Sequence, residues 1–388
     1  MNHFFFSIAF RPLFLLAGLY APLIVLLWLM HMYWQPFLNL AEQNPMMWHS
    51  HEMLYGFVAA GIGGFLFTAV ANWTGRPPVH GITLITLCLL WLVGRFVMLF
   101  GGDLPVAVTV TGDLSYLILV VAVLWRELYL AGNRRNYIVL GCIGLLLVFN
   151  VIYHLEVRNI IAPEQWSVRG GIGTVVLLIT IIGGRIVPAF TRNWLMLNRP
   201  GSATPTEMNR FDTAVVLMTL LVIPFWVVVP DYQITAAIIV LCGVMHAVRI
   251  SRWKGISTLG EPLLFILHLA YSWIPAGFML LGAGLLFEFP ANAGIHALTV
   301  GAITSMIMAV AARAGKGHSG RALESDLLLN LAFLFITFAA VLRIVAALIY
   351  LENLMQLTGL FWIGGFAFYL MSMAKILLRP ANNDGIQI

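Results

Sequence analysis

The chain is a succession of long, unbroken apolar runs, and no other feature constrains its fold so tightly. The runs fall at about 11–31, 50–72, 81–100, 105–125, 136–157 and 169–190, then at about 212–230, 232–251, 262–287, 292–313, 326–350 and 357–378. Roughly 20 apolar residues are needed to cross a hydrocarbon core about 30 Å thick, and each run is close to that length. A backbone inside lipid must satisfy its own hydrogen bonds, which leaves helices or a closed barrel. Barrel strands alternate apolar and polar residues; these runs do not. The sequence therefore predicts an all-α polytopic membrane protein of about 12 transmembrane helices. Composition agrees: 61% of the residues are hydrophobic and 10% charged, against about 25% charged in a soluble domain.

Little chain remains outside the spans, so the sequence predicts a single transmembrane domain over residues 1–388. Its longest polar stretch, 191–211, contains Pro200, Gly201 and Pro205 and reads as a cytoplasmic connection between helices 1–6 (about 11–190) and helices 7–12 (about 212–378). Six plus six helices suggests two structural halves, although no sequence repeat relates them. The first run, Leu13 to Met30, is too long for the apolar part of a signal peptide and no small-residue cleavage site follows it. The aromatic stretch Tyr33-Trp34-Gln35-Pro36-Phe37 after it reads as an interface anchor.

Charge placement predicts orientation. Sixteen Lys and Arg fall at the two termini and in the loops on one side, and two, Arg158 and Arg169, in the loops opposite. The sixteen include Arg11, Arg249, Arg252 and Arg321. Such asymmetry marks the cytoplasmic side, so both termini are expected there. The formal net charge of +5 is explained by these loops and does not point to nucleic acid. Cys88, Cys142 and Cys242 lie inside separate apolar runs and read as small core residues. Glycines at 61, 63 and 64, at 170, 171 and 173, and at 183 and 184 read as close helix contacts.

Four charges fall within spans, where an ionised group is costly and needs a partner or a task. Arg95 and Asp113 flank the Gly101-Gly102 turn at depths that differ by roughly 5 Å at 1.5 Å per residue, and a structural ion pair is expected. Arg185, in Gly183-Gly184-Arg185-Ile186-Val187-Pro188, is expected near the cytoplasmic end of helix 6, and Arg343 in the outer half of helix 11. Each either clamps an anionic group, such as a haem propionate, or bonds helix-end carbonyls or snorkels to the interface.

The ten histidines are unevenly placed. His49 and His51, His154 and His296 are expected at the outer ends of three spans, and imidazole is a common ligand for haem iron, copper and zinc. Singly, each also reads as an interface histidine. If Asn44-Pro45 starts a helix, His49 and His51 point roughly 200° apart and cannot share a metal; Glu52 then shares a face with His49 and orients its ring. If Ser50 is the cap, both histidines can converge. Asn150 lies one turn before His154 and is a second supporting polar group. His268 lies within an apolar helix and is a candidate ligand by its depth. His3, His31, His80, His246 and His318 are weaker candidates. Polar motifs at Asn72-Trp73-Thr74-Gly75-Arg76, Thr191-Arg192-Asn193-Trp194 and Gly317-His318-Ser319-Gly320-Arg321 read as helix ends with basic anchors, or as an anion or partner docking surface.

Taken together, Arg11-Pro12, Trp48-His49-Ser50-His51-Glu52-Met53, Asn72 to Arg76, Gly183 to Pro188, Thr191-Arg192, His296-Ala297-Leu298-Thr299-Val300-Gly301 and Gly317 to Arg321 resemble the NnrS family. The resemblance runs from about residue 9 to 375. It implies a twelve-helix protein of the bacterial inner membrane that contains haem and copper and serves the response to nitric oxide and nitrosative stress. Haem–copper oxidases and respiratory nitric oxide reductases carry an adjacent His-His pair and a late His-x-His. This chain has no His-His and its single His-x-His is early, which argues against a standard binuclear site.

Three functions follow as expectations: a haem- and copper-containing protein that binds or handles nitric oxide, a nitric oxide reductase-like enzyme fed by a quinol or cytochrome, and a metal or small-anion transporter. With the resemblance, His49, His51, His154, His268 and His296 become candidate metal ligands. His268 leans toward haem, the outer cluster toward copper, and Arg185 or Arg343 toward the haem propionates.

Overall fold

A computed structural model describes residues 4–33, 44–287, 290–349 and 351–380. Residues 34–37 of the aromatic anchor, and His3, lie outside the described residues. Among those described, twelve helices are long and apolar enough to cross a membrane, and no strand occurs. They are α1 (Phe10–Tyr33), α2 (Pro45–Thr74), α3 (Gly81–Leu99), α4 (Val106–Leu130), α5 (Tyr137–Glu156), α6 (Trp166–Asn198), α7 (Arg210–Val228), α8 (Gln233–Ser251), α9 (Pro262–Phe287), α10 (Ala291–Gly317), α11 (Leu327–Ile349) and α12 (Glu352–Leu378). The chain is a multi-pass membrane protein.

Several spans run longer than their apolar runs, α2 and α6 the most. Asn44 caps α2, its side chain accepting from the Met46 N–H at 2.9 Å, and Pro45 follows as the first helical residue, where no N–H is needed. The helix therefore begins well before Ser50. Helix α6 continues through the polar sequence after Pro188 to Asn198, so the irregular connection is shorter than 191–211. Arg185 then lies roughly 20 Å from the C-terminal end of its helix at 1.5 Å per residue, not near that end as expected. Once the first turns are established, helix propagation carries a span past its apolar segment.

The contacts divide the chain into two units: Met1–Gly171 with Val310–Leu323 and Phe366–Ile388, and Ile172–Ala309 with Glu324–Gly365. In the first unit, α3 and α4 form a hairpin in which a Cβ on Gly94 would lie 3.5 Å from the Asp113 Cα. That close backbone approach sets Arg95, the next residue of α3, near the depth of Asp113. Gly64 admits the Phe14 ring, 2.6 Å from where a Cβ would stand, and seats α1 on α2. Arg11, counted above as a terminal charge, is buried. Its Nη1 donates to the carbonyls of Ile376 at 2.7 Å and Arg379 at 3.0 Å, satisfying helix-end acceptors of α12.

In the second unit, α8 and α9 pack through Gly243 against Phe278 and Gly282 against Val240. Arg249, expected in a loop, is fully buried in the last turn of α8. Its Nε donates to Asp212 at 2.9 Å and its Nη1 to the Thr180 carbonyl and the Tyr271 hydroxyl, both at 2.9 Å. The guanidinium fits because residue 184 is glycine: a Cβ there would meet its Cζ at 2.6 Å.

Candidate metal centre

Within the first unit, polar side chains from α1 to α5 converge at one place. Over Glu52–Val58, α2 widens to i→i+5 hydrogen bonding. Such turns re-phase the residues on either side of them and are frequent at functional sites. His51 enters from the start of this turn, Asp113 from α4, and Asn150 and His154 from one face of α5. All four are buried, at 1%, 2%, 1% and 4% exposure.

Asp113 Oδ2 is the centre. His51 Nε2, His154 Nε2 and Asn150 Nδ2 each approach it at 3.0 Å. Its Oδ1 accepts from Arg95 Nη2 at 2.6 Å. Arg95 Nη1 donates to Glu52 Oε1, and the Tyr20 hydroxyl donates to Glu52 Oε2. Glu52 Oε1 also faces His51 Nδ1 at 2.9 Å. Arg95 thus bridges two carboxylates rather than pairing with Asp113 alone.

The hydrogen bonds assign the protons. His51 has acceptors on both sides: Glu52 at Nδ1, and Asp113 with Asn150 Oδ1, at 2.9 Å, around Nε2. Both ring nitrogens therefore carry protons. Two carboxylates, one guanidinium and one imidazolium leave this core electrically balanced, as its burial requires. His154 is different. Arg158 Nη1 lies 3.0 Å from its Nδ1, and a guanidinium only donates, so Nδ1 accepts and the proton sits on Nε2, facing Asp113.

The ligand atoms of His51, Asp113 and His154 lie within 4.8 Å of one another. A metal bound at about 2.0–2.1 Å in tetrahedral geometry separates its ligands by roughly 3.3 Å. The two 3.0 Å separations from Asp113 would need to open by a few tenths of an ångström to admit a metal. Two imidazoles and a carboxylate form a donor set that suits copper or zinc. Apolar side chains seal the site: the His51 ring packs 4.2 Å from Tyr153 and 4.9 Å from Tyr55 between centroids, and Trp48, Met98 and Ile24 form the adjoining core.

The other candidates stand elsewhere. With the helix starting at Pro45, His49 turns away from His51 and stacks on Trp28 of α1, centroids 4.5 Å apart. Glu52 orients His51, not His49 as the helical spacing suggests, because Arg95 and Tyr20 hold its carboxylate on the inner side. His296, Arg185, Arg343 and His268 belong to the second unit. His296 Nδ1 donates to the Asn292 carbonyl at 2.7 Å. Arg185 and Arg343 are half-buried. His268 Nε2 lies 2.7 Å from Thr191 Oγ1, whose hydroxyl donates to the Val187 carbonyl. The imidazole must therefore be the donor in that pair, and the Nε2 that usually meets haem iron is engaged. Its Nδ1 lies against Gly255, where a Cβ would stand 2.8 Å away.

Tyr20 and Arg158 are missing from the candidates drawn from sequence. Arg158 follows His154 by four residues, a helical neighbour spacing that signals contact. Tyr20 leaves no comparable trace among the aromatics of α1. A second buried network leaves no signal in the sequence either: Arg249 donates to the Tyr271 hydroxyl, which is 2.9 Å from His246 Nδ1, and His246 Nε2 is 2.9 Å from Thr219.

Compared with known proteins, the chain matches the model of the NnrS protein family over residues 4–381. The chain belongs to the NnrS family. Membership makes it, in general terms, a membrane protein of the nitric oxide response, in a family commonly associated with metals. No match is found among the curated proteins. The motifs that carry the resemblance fall into two classes. Within Trp48 to Met53, His51 and Glu52 build the buried centre, whereas Arg11-Pro12 and Gly183-Gly184 serve packing and helix ends.

Proposed function

We propose that this protein binds copper at His51, Asp113 and His154 and uses the centre to bind or handle nitric oxide, protecting the cell against nitrosative stress. The observation that carries the reading is the convergence of two imidazole nitrogens on one carboxylate oxygen in a sealed, charge-balanced site. Charge favours a monovalent ion: Cu(I) exchanging for the proton on His51 Nε2 leaves the net charge of the core unchanged, whereas a divalent ion adds a buried charge. His51 is held for ligation, because its Nδ1–H donates to Glu52, the outer partner that metal-bound histidines commonly have.

Copper supplies a site for a small gaseous ligand and a one-electron couple. The chain's residues do the rest. Glu52 fixes the His51 ring, Arg95 neutralises Glu52 and Asp113, Asn150 steadies Asp113, and Tyr55, Tyr153 and Trp48 exclude water.

Haem rests on family resemblance. His268 in its present arrangement does not fit a haem ligand, because its Nε2 donates to Thr191. The loop-charge asymmetry supports an orientation in the bacterial inner membrane with both termini cytoplasmic and the centre toward the outer side.

The test is metal analysis with a visible spectrum of the purified protein. His51→Ala and His154→Ala are expected to lose copper, while His49→Ala and His296→Ala keep it. Full copper content in all four variants overturns the assignment, and absence of a Soret band removes haem.

A further inference from the structure

Two histidines face the same carboxylate oxygen, yet their outer nitrogens meet opposite partners. His51 Nδ1 faces the carboxylate of Glu52, whereas His154 Nδ1 faces the guanidinium of Arg158. A carboxylate at Nδ1 keeps a proton there and frees Nε2 for a metal. A guanidinium does the reverse: it demands the Nδ1 lone pair and confines the proton to Nε2, the atom that must bind. Both rings carry a proton on Nε2, but His51 can shed its own and remain a neutral imidazole protonated at Nδ1, whereas Arg158 denies that state to His154.

We propose that Arg158 is a latch on the metal centre: it holds His154 in the tautomer that cannot ligate through Nε2, and it must swing away before the site closes around a metal. This rests on the reading of the cluster as a metal site. The change is balanced. His154 Nε2 would lose a proton and Nδ1 gain one, so that ring stays neutral and the guanidinium keeps its charge, while His51 Nε2 would release its proton to solvent, one proton for each Cu(I) bound. Asp113 Oδ2, released from the Nε2–H, turns to the metal.

The local structure permits the motion. Arg158 lies past the last residue of α5, in a turn where Asn159 takes a left-handed conformation with φ 53° and Ile160 is 65% exposed. Among the described residues its Nη1 bonds the His154 ring and the His154 carbonyl, the latter at 3.1 Å, and Arg158 is half-buried. A guanidinium released from here reaches water without unpacking the helix. By contrast, Arg95 on the other side of the centre is bound to two carboxylates and buried, and has no such freedom.

The experiment compares the purified full-length protein with Arg158→Met, which keeps the length of the side chain and removes the donor. Cu(I) affinity is measured by competition with bicinchoninate. The tautomer of His154 is read by nitrogen-15 NMR of the metal-free protein in bilayers, with His154→Ala to assign its signals. Losing a hydrogen bond from a charged donor, worth a factor of about ten to a hundred, is expected to tighten Cu(I) binding by that factor. His154 is expected to be protonated at Nε2 in the wild type and to lose that preference in Arg158→Met. The NMR readout matters because removing a positive charge alone would tighten cation binding without altering the tautomer. If the wild type already carries its proton on Nδ1, or if Arg158→Met binds Cu(I) no more tightly, the latch is refuted while the metal site stands. If neither protein binds Cu(I) in a manner that depends on His51 and His154, the metal reading fails and the latch falls with it.

Discussion

Replacing Arg95 by methionine would leave Glu52 and Asp113 facing each other across His51 with one positive charge between two negative ones. In the structure Arg95 is 7% exposed and bonds both carboxylates, Asp113 Oδ1 at 2.6 Å. Breaking a buried ion pair by removing one partner costs about 3–5 kcal/mol, because the other charge stays buried without compensation. Here the loss should sit at the upper end of that range, since two carboxylates are affected and water has no ready access past Trp48 and Tyr153. Asp113→Asn alone should also destabilise, because it turns an acceptor shared by His51, His154 and Asn150 partly into a donor. Combining Arg95→Met with Asp113→Asn removes one charge of each sign and restores balance between Glu52 and His51. The double variant should therefore regain roughly 0.5–3 kcal/mol relative to the sum of the single losses, the range seen for residues in one network. Unfolding of the four proteins by sodium dodecyl sulfate titration in mixed micelles measures the cycle. Strict additivity, with no recovery in the double variant, would refute the account of the centre as one electrostatic unit.

Gly184→Ala should destabilise the second unit by about 3 kcal/mol or more, as its methyl would push the Arg249 guanidinium off Asp212; Tm and expression check this, and a neutral outcome would mean that the guanidinium has room to move. Reporter fusions after Arg135, Lys254 and Lys316 should be active only as cytoplasmic reporters, and outer-side activity at any one of them would overturn the orientation.

The sequence determined the helices because lipid leaves the backbone no other choice: a span must be about 20 apolar residues long and helical, and such runs are local features. It also pointed to Arg95 with Asp113, since a hairpin with a short turn sets the relative depth of its two arms. The start of α2 was legible in Asn44-Pro45, and with it the divergence of His49 from His51. Helix ends were legible less well: α6 runs on through polar residues to Asn198, carried by propagation rather than by lipid.

What only the tertiary structure decided is which polar groups meet. His51, Asp113 and His154 lie on three helices, and their convergence depends on how α2, α4 and α5 rotate about their own axes. Apolar periodicity hardly constrains those rotations when lipid and core are equally apolar. The widened turn at Glu52–Val58 shifts the phase of α2 further. Arg249 shows the same limit from the other side. By position it is one more basic residue at a helix end, yet it is wholly buried, because a glycine on another helix leaves room for its guanidinium and Asp212 supplies its charge. Runs of hydropathy record where each helix meets lipid; the partner of a buried charge is chosen by packing between helices, and that choice leaves no period in the chain.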